Sequence, residues 1–442
     1  MHFVIIGNGV AGTTAAFALR EREPKAEITM ISGESDYFFS RTALMYAYMD
    51  RMSQRDLEPF ERKVFPKQNL RLVRDWVTNL DDTSRTLQLQ SGRSLRYDRL
   101  LLAVGSLGNQ LPWPGLAKAR EGCVHFVTLQ DLNQCERFTA STREAVVVGG
   151  GLIGVELVEC LLFHGKRVTF LVRSPWYWPA ALGKEESEMV TAHMRKHGVD
   201  VRLDEEVAEV LADDNGRVRG VRARSDAEFA CQMLGIAIGV HPAVEWLRSV
   251  KTPPVFERGI VVSPSFKTSL ENVWAAGDCV EFERSGRRLV EQIWYSAKRQ
   301  GELAARSMLG DKISYEPPVF YNSAMFFEIE YTTVGRVNDA PESAVSFFCR
   351  IPGKEASVRI VQDNGAVVGL NLLGSRWNHT FFERWIAERR TMDYVVEHLA
   401  EAQFDVEFGR LDLSAVGPHY RAWKQQCARG ADRVKLQETP AW

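Results

Sequence analysis

Apolar positions along this chain come in short unbroken runs separated by glycines and by helix-favouring stretches. Residues 3–6 read Phe-Val-Ile-Ile, too short for a helix and suited to a strand buried on both faces. Glycines follow at once, then a helical run from Thr14 to Glu21, then a second strand from Glu27 to Ser32. That order predicts a βαβ unit at the start of the chain. The same grammar returns in Ala145–Val148, a second set of glycines, a helical run from Gly154 to Leu162, and a strand from Arg167 to Val172. Two copies of one supersecondary unit, about 140 residues apart, form a repeat at domain scale and not a solenoid.

Between and after these copies the chain is rich in short β stretches, with turns at Ser91-Gly92 and Asp213-Asp-Asn-Gly216. Past about residue 320 the style changes. Strands such as Ser357–Val361 and Ala366–Leu373 precede an amphipathic stretch from Thr380 to Glu401, which predicts a separate α+β domain. The polar residues from His419 to Trp442 are expected to form a surface-lying tail. The segment Asn322–Thr333 fits no pattern.

Composition narrows the class. The chain has 442 residues, 45% hydrophobic and 25% charged, with a net charge of -2, so several ordered domains are expected and nucleic acid is not. Seven cysteines are scattered and never form a CxxC pair. That argues against a disulfide framework, a zinc ribbon or an iron–sulfur cluster, and for a reducing cytoplasm. No basic residue precedes the first apolar run, so it reads as a strand and not a signal peptide. No stretch of eighteen apolar residues occurs, so a soluble protein without a transmembrane helix is expected.

The glycines carry the chemistry. Gly7-Asn8-Gly9-Val10-Ala11-Gly12 sits between strand and helix: the first glycine permits a tight bend, the second lets backbone approach a pyrophosphate, and the third lets helix and strand pack closely. The helix then presents free N–H groups and a positive dipole end to the phosphates. Glu34, after the second strand, is placed to accept hydrogen bonds from an adenosine ribose. The second set is Gly149-Gly150-Gly151-Leu152-Ile153-Gly154, but Val172 and Arg173 stand where an acid is expected. An arginine there can accommodate the 2′-phosphate of NADPH, which leans the second site toward NADP. Arg173 as a solvated surface residue remains an equal reading.

With these motifs the chain resembles the pyridine nucleotide-disulfide oxidoreductase superfamily over its full length. Leu101–Ser106 resembles the segment where the chain leaves the FAD domain, Gly235–Pro242 the segment where it returns, and Val273–Asp278 the second FAD fingerprint. The resemblance implies an α/β fold with two Rossmann-like dinucleotide-binding domains and a C-terminal α+β interface domain. It implies an FAD-binding domain over 1–112 and 251–320, an NAD(P)-binding domain over 113–250, an interface domain over 321–418 and a tail over 419–442. It further implies cofactor contacts from Ala103, Gly105, Gly239 and Gly277, from Asp278 to the ribityl chain, from the backbone of Val77 to adenine, and from the helix of Trp294 to the flavin. Glu156 is the residue implied beside the nicotinamide.

The segment Tyr37–Leu44 decides the branch. Arg41 stands where a peroxidase-like redox cysteine falls, and the stretch resembles that of rubredoxin reductases, ferredoxin reductases and nitrite reductase flavin domains, whose arginine contacts FAD. The following proline and later serine of that pattern are Thr42 and Tyr46 here. Ala402–Phe408 carries no histidine where disulfide reductases bring one to protonate a thiol. The expectation is hydride transfer from NAD(P)H to flavin N5, then electrons to a rubredoxin- or ferredoxin-like protein or to a small molecule, in a chain that can pair as a homodimer. Alternatives are an NADH oxidase or quinone reductase, a redox-sensing flavoprotein of apoptosis-inducing-factor type, and a scaffold that has lost NAD(P) binding.

Three other features weigh against chemistry. His193 and His197 have zinc-binding i,i+4 spacing, but no third ligand is evident, so a solvated helix face and no metal is expected. Trp176-Tyr-Trp178 reads as packing between domains before it reads as a pocket wall. Phe381–Arg390 reads as an interface-domain helix before it reads as a membrane-surface one.

Overall fold

Each βαβ run becomes the middle of a parallel sheet. In the computed structural model, which describes residues 1–284, 286–404, 407 and 409–428, strand His2–Ile6 pairs in parallel with Glu27–Ser32 and with Arg99–Leu102. Leu70–Arg74 and Val273–Ala275 complete the two edges. Phe3, Val4 and Ile5 are fully buried, each contributing about 1.5–3 kcal/mol by leaving water. Helix Val10–Arg22 begins at Gly9, which is extended, and ends at Glu23 before Pro24. It packs against helix Trp294–Met308. A Cβ on Gly301 would lie 2.2 Å from the Ala11 carbonyl oxygen, so only glycine lets these helices approach so closely.

Two compact units result, one of Met1–Leu111, Val124–Ala140 and Ile238–Pro317, the other of Pro112–Cys123, Ser141–Ala237 and Pro318–Trp442. In the first, the expected exit and return segments meet, since Ser106–Gly108 pairs antiparallel with Val240–Pro242. Residues 124–140 lie with this unit, because helix Leu129–Thr139, capped by Thr128 and Asp131, ties its first turn to Glu34.

The second unit centres on the second βαβ copy, with Glu144–Val148 between Arg167–Val172 and Met233–Ile236, and Asp200–Leu203 outside. It also holds an antiparallel five-stranded sheet ordered Tyr321–Phe326, Ile329–Gly335, Ala366–Leu373, Ser357–Asp363, Val345–Arg350. The unexplained segment 322–333 is the first hairpin of that sheet, turning at Phe327 and Glu328. Its Phe326 and Tyr331 rings meet Trp178 at 5.8 and 5.7 Å, so the aromatic run 176–178 packs against this sheet.

The amphipathic stretch from residue 380 divides into helices His379–Ala387 and Met392–His398, because Thr391 caps the second. Phe382 and Trp385 are fully buried, which gives the apolar side to the domain's own core. The expected boundary at 418 falls inside helix Val416–Ala428, whose Tyr420 and Trp423 rings lie 5.2 and 5.7 Å from Phe347. The rest of the expected tail, 429–442, lies outside the described residues. Among the described residues no helix is long and apolar enough to cross a membrane.

Arg359, 7% exposed, lies 2.7 Å from Glu185 and 3.1 Å from the fully buried Glu186, joining the start of helix Lys184–Lys196 to the antiparallel sheet. Burial opposes the guanidinium charge, but the two carboxylates hold its pKa above the ordinary value. Arg359→Met is expected to lower stability by about 3–5 kcal/mol, because Glu186 would keep a buried charge without its partner. Denaturant unfolding of the variant checks this; an unchanged midpoint and slope contradicts it.

Candidate functional site

The bend after the first strand is built from backbone alone. Gly7 has φ +104°, and a Cβ there would stand 2.1 Å from the Ala103 carbonyl oxygen. Its N–H is bonded to Ile31 O at 2.8 Å. Gly9 caps the helix without any side-chain cap, and nothing lies within 4 Å of where its Cβ would be. The first-turn N–H groups, which no helix can satisfy internally, therefore have room for an external acceptor. Gly12 serves packing, since its Cβ would lie 2.0 Å from Gly7 O.

A cleft of about 410 Å³ opens over this helix end, a size common to cofactor sites. Gly7, Gly9, Val10 and Ala11 form its floor, with Glu34 and Val77, Ala103 and Gly105, and Gly277 and Asp278 on its walls. Of the residues expected there, Gly12, Trp294 and Gly239 do not line it. The Trp294 ring packs 5.8 Å from Phe38, and its helix reaches the cleft through Ala297 instead. Gly239, at φ +93°, accepts the Asn109 N–H beside the exit and return strands.

Glu34 and Arg41 form an ion pair in the cleft lining. Arg41 donates to both Glu34 oxygens, at 2.8 and 2.7 Å, and to the Val127 carbonyl. Leu129 N–H gives Glu34 a further bond at 3.1 Å. Burial opposes the Arg41 charge, yet Glu34, with Asp278 and Asp131 farther off, holds its pKa above the ordinary value. Burial raises the Asp278 carboxyl, while a 3.0 Å bond from Ser106 and the field of Arg41 pull the other way. No cysteine is among the cleft's lining residues. Cys279, next to Asp278, is fully buried with its thiol against Leu102 O and Ala276 O, and burial pushes its pKa up to about 12.

Sequence reasoning overlooked Trp76. Its ring covers Gly33, where a Cβ would lie 2.0 Å from the indole, and it lines the cleft beside Val77 while 55% exposed. A large exposed aromatic next to Val77 was the available signal.

The second bend repeats the first. Gly149 has φ +120°, a Cβ on Gly154 would meet Gly149 O at 2.2 Å, and Gly151 caps helix Leu152–Phe163 without a side-chain cap. Nothing lies within 4 Å of a Gly151 Cβ, and Leu152 and Ile153 stand half-buried in the open first turn. Val172 is buried and Arg173 exposed. Glu156, half-buried one turn on, has its carboxyl raised to about 8 by burial and by Glu159. On the same unit, His193 is buried and His197 half-buried. Both meet Glu328 of the hairpin turn.

Comparison with known proteins shows the family and the fold. The family model for pyridine nucleotide-disulphide oxidoreductase matches residues 1–301. The chain is 26% identical to a nitrite reductase [NAD(P)H] of Bacillus subtilis over 84% of its own length, and spans 45% of that protein. It is 30% identical to the ferredoxin reductase component of a chlorobenzene dioxygenase from Cupriavidus, covering 70% of this chain and 74% of that one. A covalent putidaredoxin reductase–putidaredoxin complex shares the fold, with a TM-score of 0.76 at 22% identity over 88% of this chain and 93% of that one.

A carboxyl with a raised pKa binds its proton more tightly in the folded chain. Its contribution to stability is complete below the unfolded value and is lost as pH rises toward about 8. The stability advantage of Glu156→Gln over the natural chain is therefore expected to grow between about pH 5 and 8. Urea unfolding at several pH values tests it; a constant gap rules the shift out.

Proposed function

The chain belongs to the pyridine nucleotide-disulphide oxidoreductase family and is an FAD-dependent NAD(P)H oxidoreductase, and from that premise we propose that it passes electrons to a rubredoxin- or ferredoxin-like protein without a redox-active disulfide. The observation that carries this is the cleft of the first unit, where Arg41 holds Glu34 and no cysteine lines the wall. The FAD, when bound, supplies the step between a two-electron donor and a one-electron acceptor.

The residues fit such a group by what they leave open. The uncapped helix end at Gly9, Val10 and Ala11 offers N–H donors to a pyrophosphate. Glu34 retains lone pairs for ribose hydroxyls after binding Arg41 and Leu129, and Trp76 with the Val77 backbone offers a face for adenine. Asp278, steadied by Ser106, suits the hydroxyls of a ribityl chain, and Ala103, Gly105 and Gly277 keep the wall free of bulk. In the second unit, the uncapped end at Gly151, Leu152 and Ile153 suits the NAD(P)H pyrophosphate. Glu156 would hold its proton at neutral pH beside the nicotinamide. We place the chain in a reducing compartment, the cytoplasm, in keeping with cysteines that are scattered and never form a CxxC pair.

Relatives carry protein acceptors in their names, among them ferredoxin and rubredoxin, which favours a protein over oxygen or a quinone. Turnover with NAD(P)H is expected to reduce a rubredoxin or a small iron–sulfur ferredoxin faster than oxygen or quinone. Faster oxygen consumption would favour an oxidase instead.

Arg173 supports a preference for NADPH. Arg173→Glu is expected to lower kcat/KM for NADPH by about tenfold to a hundredfold, the loss of a charged phosphate contact, and to leave NADH within a few-fold. Equal effects on both nucleotides would take Arg173 out of the ribose site.

A further inference from the structure

Helix Lys184–Lys196 and the hairpin turn at Phe327 and Glu328 bring three metal-ligating side chains to one point of the second unit. Glu328 Oε2 lies 3.1 Å from His193 Nε2 and 3.2 Å from His197 Nε2, and the three ligand atoms all fall within 4.8 Å of one another. The histidine rings are 4.4 Å apart.

Both imidazoles turn Nε2 to the same carboxylate oxygen. His197 Nδ1 is 2.9 Å from the His193 carbonyl oxygen, which can only accept, so Nδ1 carries the hydrogen. With Nδ1 so occupied, Nε2 is the ring nitrogen aimed at Glu328 and the one a metal ion would take. His193 Nδ1 is buried without a hydrogen-bond partner, so its ring makes its polar contact through Nε2 at the same oxygen. Metal–ligand bonds of about 2.0–2.2 Å in a tetrahedron put ligand atoms about 3.3–3.5 Å apart, and the two observed separations lie just inside that edge.

The surroundings hold the three groups in place. The His197 Nδ1 bond to a carbonyl is the kind of outer contact that orients a ligating imidazole. Phe327 adopts φ +54°, a backbone state costly for an aromatic residue. It stays there with its N–H on Glu159 Oε2 at 3.1 Å and its ring stacked 4.9 Å from His197. Glu328 itself is 73% exposed and His197 31%, so an ion can reach the site from solvent.

We propose that His193, His197 and Glu328 form a site for a divalent transition ion of the zinc type, which fastens the nucleotide-binding part of the second unit to its antiparallel sheet. Two nitrogens and one oxygen match the borderline-soft ligand set of zinc, with the fourth position left for water. The site is independent of the electron-transfer reading.

The test uses the full-length flavoprotein, treated with a chelator and desalted, then titrated with zinc chloride by calorimetry and equilibrium dialysis. One zinc per chain at micromolar or tighter affinity is expected, on the order of that of small protein zinc sites, with a thermal midpoint that rises with zinc. Glu328→Gln alters only an exposed side chain, and it is expected to weaken binding by about tenfold or more, as is His197→Ala. Both variants should keep their flavin and lose the zinc-dependent rise in midpoint, each measured against its own metal-free value. No uptake at micromolar zinc, or uptake that is unchanged in both variants, overturns the proposal.

Discussion

Everything in the first unit depends on one backbone constraint: the chain must turn from strand to helix where no side chain can fit. At Gly7 a single Cβ would meet Ala103 O at 2.1 Å, and at Gly12 it would meet Gly7 O at 2.0 Å. The bend therefore closes on itself, and the helix end it aims is left with uncapped N–H groups. The energetic gain of binding an anion there comes from groups that are already oriented and already unsatisfied. The second unit solves the same problem with Gly149 and Gly154, which is why one grammar appears twice in the chain.

Around that bend the two units differ in charge. The first places a carboxylate, Glu34, under a bidentate arginine and a helix N–H. The second has buried Val172 and exposed Arg173 at the equivalent point. No cysteine lines the cleft beside Arg41, and Cys279, buried next to Asp278, has a pKa pushed up to about 12, far from a reactive thiolate. On the proposed function, the family name describes the fold, while the chemistry runs through flavin alone.

Much of this was legible in the sequence because tight turns admit few residues. Glycines flanked by a strand and a helix leave little choice of conformation, so both bends and the parallel sheets could be read directly. What escaped were contacts between segments far apart in the chain. Trp76 over Gly33, Leu129 on Glu34, and Glu328 beside His193 and His197 are set by tertiary packing and leave no periodic signal. Trp294 shows the converse, since its type and place in the chain suggested the cleft while its ring packs on Phe38. The split of residues 379–398 into two helices rests on one cap, Thr391, which a window of amphipathic periodicity averages away.

The account turns on a flavin that works without a dithiol, and the number of electrons the protein takes up decides it. Anaerobic titration of the flavoprotein with NADH or NADPH should bleach the flavin fully with one two-electron equivalent per flavin. Uptake of a second equivalent, accompanied by the appearance of titratable thiols, would reveal a redox-active disulfide and contradict the account.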